Sequence, residues 1–142
     1  MSPSERLQNF LSQMHEWEVG FHAEKRSDAY KTDSGYRNKA NEAAKSRLEA
    51  IFSENLSVKA SIALGSARLD TLGTGQPPEY EQTILTDTEE QLDTVTNIQA
   101  VRKKGLKQRY RYTVIVERDE PKIDGVSVWR ASSETWERRH AI

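Results

Sequence analysis

Two histidines and a carboxylate on the first predicted helix are the residues of this chain best suited to metal chemistry. His15, Glu18 and His22 stand at positions i, i+3 and i+7, and zinc and related metals accept imidazole and carboxylate ligands. Zinc-binding helices, however, usually place two histidines four residues apart. The spacing therefore favours a second interpretation, in which the three side chains flank a buried stripe or pair with arginine and lysine. The chain has no cysteine, which excludes disulfides, thiolate metal sites and cysteine nucleophiles.

Two clusters of opposite charge follow one another in the second half of the chain. The acidic cluster consists of Glu79, Glu81, Asp87, Glu89, Glu90 and Asp93. The basic cluster consists of Arg102, Lys103, Lys104, Lys107, Arg109 and Arg111. Either these are solvated segments that partly offset each other across neighbouring strands, or they form a bipolar binding surface. Nucleic acid is disfavoured as a partner, because the formal net charge is −1 and because Tyr110 and Tyr112 alternate with the arginines and so point to the other face of a strand.

A helical pattern of apolar residues occupies the N-terminal third of the chain. The stripe consists of Leu7, Phe10, Leu11, Met14, Trp17 and Phe21. These spacings of three and four predict an amphipathic helix that begins at Ser2 or Ser4 and runs to about Arg26. After a polar loop over residues 27–35, a second helix is expected to end at Asn55.

In the rest of the chain, apolar and polar residues alternate as they do in strands. Tyr110, Tyr112, Val114 and Val116 share one face of a predicted strand, which needs a core opposite it. Further strands are expected over residues 58–64, 94–101 and 122–130, with a short piece at 68–70, an acidic turn at 87–91 and a bulge at Gly125. Glycines and prolines interrupt residues 72–80, which makes this segment the candidate for a functional surface loop.

Helices followed by an antiparallel meander predict an α+β fold, in which the N-terminal helices pack on a curved antiparallel sheet. The length of 142 residues favours a single domain over residues 1–142. The N-terminal region has no apolar signal-peptide segment, and no stretch reaches the ~20 apolar residues of a membrane span. We therefore expect neither a secretory leader nor a membrane partner, and no motif indicates a cofactor.

Five short segments together carry a resemblance to a known family. They are Met14-His15-Glu16-Trp17-Glu18, Ala50-Ile51-Phe52, Pro77-Pro78-Glu79-Tyr80, Tyr110-Arg111-Tyr112-Thr113 and Lys122-Ile123-Asp124. In this order and spacing, which spans nearly the whole chain, they resemble the nuclear transport factor 2-like fold and specifically its bacterial immunity-protein branch. The chain departs from the family pattern at Lys122, because a tryptophan tends to precede the Ile-Asp pair.

The resemblance implies a cytoplasmic protein that binds the cognate toxin domain of a bacterial polymorphic toxin system and neutralises it by occlusion, without chemistry of its own. An inhibitor of a nuclease toxin often needs an acidic surface, because the active site of the toxin is basic. The candidate partner-binding residues are Glu79, Tyr80, Glu81, Asp87, Glu89 and Glu90, with Tyr80 as a possible anchor.

The same resemblance leaves an enzymatic or small-molecule-binding alternative, of the isomerase or dehydratase type. Enzymes with this fold place a His or Asp base in a conical cavity, and the candidates are His15, Asp124 and His140, the last in a C-terminal tail expected to fray. The candidate pocket-lining residues are Trp17, Phe21, Tyr110 and Tyr112. A plain hydrophobic core is the favoured interpretation of these aromatics. A homodimer through the exposed sheet face is a third possibility.

Overall fold

The computed structural model describes residues 1–142 and confirms the predicted α+β class. The helices are α1 (Pro3–Lys25), α2 (Asp28–Thr32), α3 (Ser34–Asn55), α4 (Val58–Ala63) and α5 (Ser66–Thr71). The strands are β1 (Gln82–Leu92), β2 (Val95–Arg102), β3 (Arg109–Glu117), β4 (Glu120–Arg130) and β5 (Thr135–Arg138). The strands form one antiparallel sheet in the order β1-β2-β3-β4-β5. We call the sheet face against which the helices pack the inner face and the opposite one the outer face.

The first helix forms where the apolar stripe predicts it. Ser2 accepts a hydrogen bond from the backbone N–H of Glu5, and the Glu5 carboxylate accepts one from the backbone N–H of Ser2. This capping box, with Pro3 in the first turn, fixes the start of α1. The stripe from Leu7 to Phe21 is buried, and α1 packs against α3 and the inner face of the sheet.

The connections after α1 and α3 are more helical than the sequence predicts. The polar loop after α1 contains the short helix α2, and α3 ends at Asn55 as expected. The predicted strand at 58–64 is wrong, since this segment forms α4, whose first turn is capped by the Ser57 hydroxyl. Within it Ala60 and Leu64 are buried whereas Val58 and Ile62 are exposed, a spacing of four that suits a helix. The predicted strand piece at 68–70 is also wrong and lies in α5.

The sheet follows the predicted alternation, with three local differences. Tyr110, Tyr112 and Val114 point inward and are buried, but Val116 is 69% exposed and lies beyond the core. At Gly125 the register shifts as predicted, because Thr113 pairs with Gly125 while Val114 pairs with Ile123. The acidic segment 87–91 is not a turn. It belongs to edge strand β1, whose pairing with β2 is interrupted between Leu85 and Glu90.

One continuous hydrophobic core fills the space between the helices and the inner face. It includes the aromatic stripe of α1, the inward residues of β2 to β4 and the C-terminal Ile142. Ile142 donates its backbone N–H to the Leu64 carbonyl at 2.9 Å. The expectation of a fraying C-terminal tail is therefore wrong, because the last residue of the chain is anchored in the core.

Candidate functional site

The segment 72–81 connects α5 to β1 and contains the predicted surface loop 72–80, whose end folds into the core. Tyr80 is 2% exposed, and its ring meets that of Phe10 edge-on at a centroid distance of 5.8 Å. Its hydroxyl has no hydrogen-bond partner, and burial raises the pKa of Tyr80 well above its ordinary value. Tyr80 therefore does not lie on a surface where it could anchor a partner, and its place among the candidate contact residues is corrected to the core.

Glu79 is held by two arginines that are distant in sequence. Its carboxylate accepts hydrogen bonds from Arg68 at 3.1 Å and from Arg139 at 2.8 Å. Although burial alone would raise the pKa of Glu79, the hydrogen bonds and charges of Arg139 and Arg68 bring it below its usual value. Arg68 also donates to the carbonyls of Gly73 and Ile142. Glu79 thus joins α5, the segment 72–81 and the C-terminal tail. The structure therefore assigns this candidate partner-binding residue to ion pairs within the molecule.

Glu18 is a buried carboxylate that the sequence indicates only as a metal candidate. It is 1% exposed, and its Oε1 accepts a hydrogen bond of 2.6 Å from the backbone N–H of Tyr80. Its Oε2 has no partner. Burial raises the pKa of Glu18 and outweighs the backbone hydrogen bonds from Tyr80 and Glu79. Glu18, Arg68, Glu79 and Arg139 come from α1, α5, the segment 72–81 and the C-terminal tail, so no local pattern in the sequence predicts that they lie close together.

The three metal-ligand candidates of α1 do not converge. His15 Nδ1 lies 4.0 Å from Glu18 Oε1, whereas His22 Nδ1 faces the Thr74 hydroxyl at 3.4 Å. No group of three His, Asp or Glu side chains in the molecule has a geometry that could hold a metal ion. His15 and His22 flank the buried stripe, in line with the second interpretation of their spacing, whereas Glu18 is itself buried.

The candidate pocket aromatics lie in the core. Trp17, Phe21, Tyr110 and Tyr112 are each at most 6% exposed. Tyr112 donates its hydroxyl to Gln82 at 2.9 Å, and Trp17 donates its indole N–H to the Ala44 carbonyl at 2.9 Å. Tyr110 and Tyr112 border none of the main cavities. Trp17 and Phe21 border only a surface groove between α1 and α3. These aromatics therefore fill the space that a ligand would need.

The candidate catalytic bases lie in different parts of the molecule. His15 is on α1 with 39% of its side chain exposed, and His140 is an exposed residue of the C-terminal tail. Asp124 on β4 accepts a hydrogen bond of 2.7 Å from the Ser57 hydroxyl and lies 4.0 Å from Lys59 Nζ. Since no cavity brings two of them together, the arrangement offers no acid–base pair.

The remaining candidate contact residues lie along β1. Glu81 precedes the strand and pairs with Lys104 at 3.7 Å. Asp87, Glu89 and Glu90 are exposed and form no ion pair. We call these three residues the acidic edge. The acidic edge stands on an edge strand of the sheet, where a partner could reach it.

A comparison with sequence models of known families identifies the family of this chain. The sequence model of the family described as NTF2 fold immunity protein matches residues 2–140. The chain belongs to this family. This family agrees with the resemblance seen in the sequence and with the order of helices followed by a sheet. Membership in it indicates a toxin-neutralising role. Searches of curated proteins and of solved structures found no match. None of the helices has a stretch long and apolar enough to cross a membrane.

Proposed function

We propose that this NTF2 fold immunity protein acts in the bacterial cytoplasm, where it binds the cognate toxin domain of a polymorphic toxin system and neutralises it by occlusion. The mechanism is steric and electrostatic, and no residue of the chain performs chemistry on a substrate. Neither a cofactor nor nucleic acid nor a membrane takes part.

The observation that carries this proposal is the filled interior. The cone between helices and sheet, where an enzyme with this fold would hold its substrate, is occupied by Trp17, Phe21, Tyr80, Tyr110 and Tyr112. Of the two carboxylates at its end, Glu18 accepts a hydrogen bond from the backbone N–H of Tyr80, and Glu79 accepts hydrogen bonds from Arg68 and Arg139. The outer surface is then what remains for recognition.

We further propose that the acidic edge contacts a basic toxin domain. Asp87 and Glu89 lie where the pairing of β1 with β2 is interrupted, and Glu90 is the first residue that pairs again, with Asn97. All three are exposed and form no ion pair, so their carboxylates are free to meet cations of a partner. Complementary charge increases the association rate and discriminates against wrong partners. A nuclease toxin, whose active site must attract phosphates, has the matching positive charge.

The test of the function starts from the neighbouring genes, among which the proposal predicts a large gene that ends in a toxin domain. Co-expression should restore growth to cells that produce the toxin domain, and the two proteins should co-purify. A toxin that still kills in the presence of the folded protein, with no complex formed, would refute the proposed function.

The acidic edge is tested by the triple charge reversal D87K/E89K/E90K. At low salt this variant should bind the toxin domain at least about tenfold more weakly, a loss of about 1.4 kcal/mol. The measurement is a binding titration at two salt concentrations. The matched control is E16K/E42K/E49K, which makes the same charge change at exposed helix positions. Equal binding by the two triple variants would show that the acidic edge makes no contact.

A further inference from the structure

The largest cavity of the molecule is an open cleft of about 860 Å³ on the outer face of the sheet. Its walls come from β2, β3, β4 and β5, from the loop between β2 and β3, and from the turn between β4 and β5. Trp129, Trp136, Leu106, Lys107 and Arg109 line it. The cleft faces away from the helices and the core, so it is accessible in the folded protein.

The floor of the cleft is aromatic and is held by several contacts. Trp129 and Trp136 are directly opposed across β4 and β5, and their rings meet at a centroid distance of 5.3 Å. The Arg111 guanidinium lies 4.7 Å from the centre of the Trp136 ring. Gln108 donates its side-chain N–H to the Trp129 carbonyl at 3.0 Å, which ties the β2–β3 loop to β4. On the rim Leu106 is 86% exposed, so the site has an apolar surface that is already assembled.

The rim of the cleft carries positive charge that the molecule itself does not neutralise. Lys107, Arg109 and Arg111 form no ion pair, and the only hydrogen bond of Arg109 through its side chain is to Gln99 at 3.3 Å. Arg130 is different, because Glu137 holds it at 2.8 Å. Lys107 and Arg109 are therefore unpaired cations in the lining of the cleft, and Arg111 lies beside it against the Trp136 ring.

We propose that this cleft binds an acidic segment of a partner protein, in which carboxylates flank an aromatic or aliphatic side chain. The apolar side chain packs on Trp129, and the carboxylates pair with Lys107 and Arg109. Arginine binds carboxylates in a planar, two-point geometry, and tryptophan and arginine dominate binding hot spots. On the basis of the proposed function, this acidic segment belongs to the toxin domain. The toxin domain then contacts both the basic cleft and the acidic edge.

A protein segment fits the cleft better than a single-stranded nucleic acid does. Base stacking needs an open ring face, but the two indole planes are inclined at 62° to each other and Arg111 covers a face of Trp136.

The first test uses a fluorescein-labelled peptide Asp-Glu-Phe-Glu-Asp, the neutral peptide Asn-Gln-Phe-Gln-Asn and a labelled oligo-dT. The acidic peptide should bind the full chain, with binding weakened by salt, and the variant K107E/R109E should lose at least about tenfold in affinity. The control K39E/K45E makes the same charge change at exposed positions of α3 and should bind as the wild type does. Lys107 and Arg109 are exposed, so both variants should keep the wild-type circular dichroism spectrum.

Several results would overturn the inference. They are the absence of acidic-peptide binding, equal binding by K107E/R109E, and stronger binding of oligo-dT than of the acidic peptide. A wild-type dimer in sedimentation that K107E/R109E dissociates would assign the cleft to a second copy of the chain and would also overturn it.

The second test separates this inference from the proposed function. In the co-expression assay with the toxin domain, K107E/R109E should protect less well than K39E/K45E. If the wild-type protein fails to protect, the proposed function fails, and the peptide titration still decides whether the cleft binds acidic segments. If K107E/R109E protects as well as the wild type, the function stands and the cleft is not the toxin-binding site.

Discussion

At the scale of single residues, two carboxylates at the same end of the core have opposite environments. Glu79 accepts hydrogen bonds from two guanidiniums, and its pKa lies below the usual value. Glu18 receives only backbone N–H groups, leaves Oε2 unpartnered, and has a raised pKa. The folded state therefore favours the charged form of Glu79 and the neutral form of Glu18. The two residues make opposite contributions to the pH dependence of stability.

Replacing Glu79 by glutamine should destabilise the protein by about 2 kcal/mol at neutral pH, because it leaves Arg68 and Arg139 without a counter-charge in a largely buried setting. Since the folded pKa is depressed, the stabilisation by Glu79 is present above the ordinary carboxyl pKa of 4.5 and is lost as the pH falls through the lower folded value. The difference in the free energy of urea unfolding between the wild type and E79Q should thus become smaller as the pH is lowered.

The control for E79Q is E18Q, which keeps the acceptor for the Tyr80 N–H and removes a carboxyl group whose ionisation burial opposes. Ionised Glu18 lowers stability as the pH rises from 4.5 through its raised folded pKa, because the folded state binds more protons than the unfolded one in this range. E18Q should therefore be at least as stable as the wild type at neutral pH. A loss equal to that of E79Q would contradict the assignment of opposite environments.

At the scale of elements, the junction between α4 and α5 depends on a residue without a side chain. A Cβ on Gly65 would lie 2.6 Å from the Ser61 carbonyl oxygen and 2.8 Å from the Phe52 ring. Phe52 is 1% exposed in the core and cannot move aside without disturbing its neighbours. A side chain at this position would therefore push the two short helices away from α3.

The variant G65A should lose about 1–3 kcal/mol of stability through overpacking, measured as the free energy of urea unfolding. Its matched control is G20A in the exposed part of α1, where a Cβ would meet nothing within 4 Å. That change should stabilise by up to about 1 kcal/mol, because alanine favours the helix. Equal effects of the two substitutions would show that the close approach at Gly65 carries no cost.

The same elements show what the sequence can predict and what it cannot. Helices α1 and α3 and strands β2 to β4 are confirmed, because their periods extend over eight or more residues. The segment 58–64 is too short to distinguish a helical from a strand pattern, because apolar residues that alternate with polar ones also include pairs four positions apart. Ser57, the cap that decides for a helix, stands just before the segment assigned to a strand.

The candidate site is less predictable than the fold, because side-chain partners come from distant parts of the chain. Arg68 and Arg139 lie 11 and 60 positions from Glu79, and no local pattern links them. Tyr80 is indistinguishable in sequence from an exposed loop aromatic. The Trp129–Trp136 pair follows from the strand register, which becomes known only when the turn between β4 and β5 is placed.

At the scale of the whole molecule, the chain has one hydrophobic core, and both its N-terminal helix and its C-terminal residue are fixed to the rest of the fold. Arg6 of α1 donates to the Pro121 carbonyl at the start of β4, while Ile142 closes against α4. No helix or strand pair has a core of its own. The helical half and the sheet half should therefore lose structure together.

This cooperativity can be measured in the variant W129F/W136F, whose remaining indole, Trp17, reports on the core. Its fluorescence and the far-ultraviolet circular dichroism should give the same midpoint and the same slope in urea. The wild type should show the same dichroism transition as the variant if the outer tryptophans contribute little to stability. Loss of the Trp17 signal before the dichroism signal would show that the helices detach from the sheet.

The interruption of the ladder in β1 bears on aggregation, because a sheet with an unpaired edge can recruit further strands into fibrils. Thr88 donates its hydroxyl to the Leu85 carbonyl, and the same hydroxyl accepts the backbone N–H of Gln99. The register of β1 shifts at this point, beside the exposed Asp87 and Glu89. An incoming strand would meet a charged irregularity in place of a straight row of amides, which disfavours edge-to-edge association at β1.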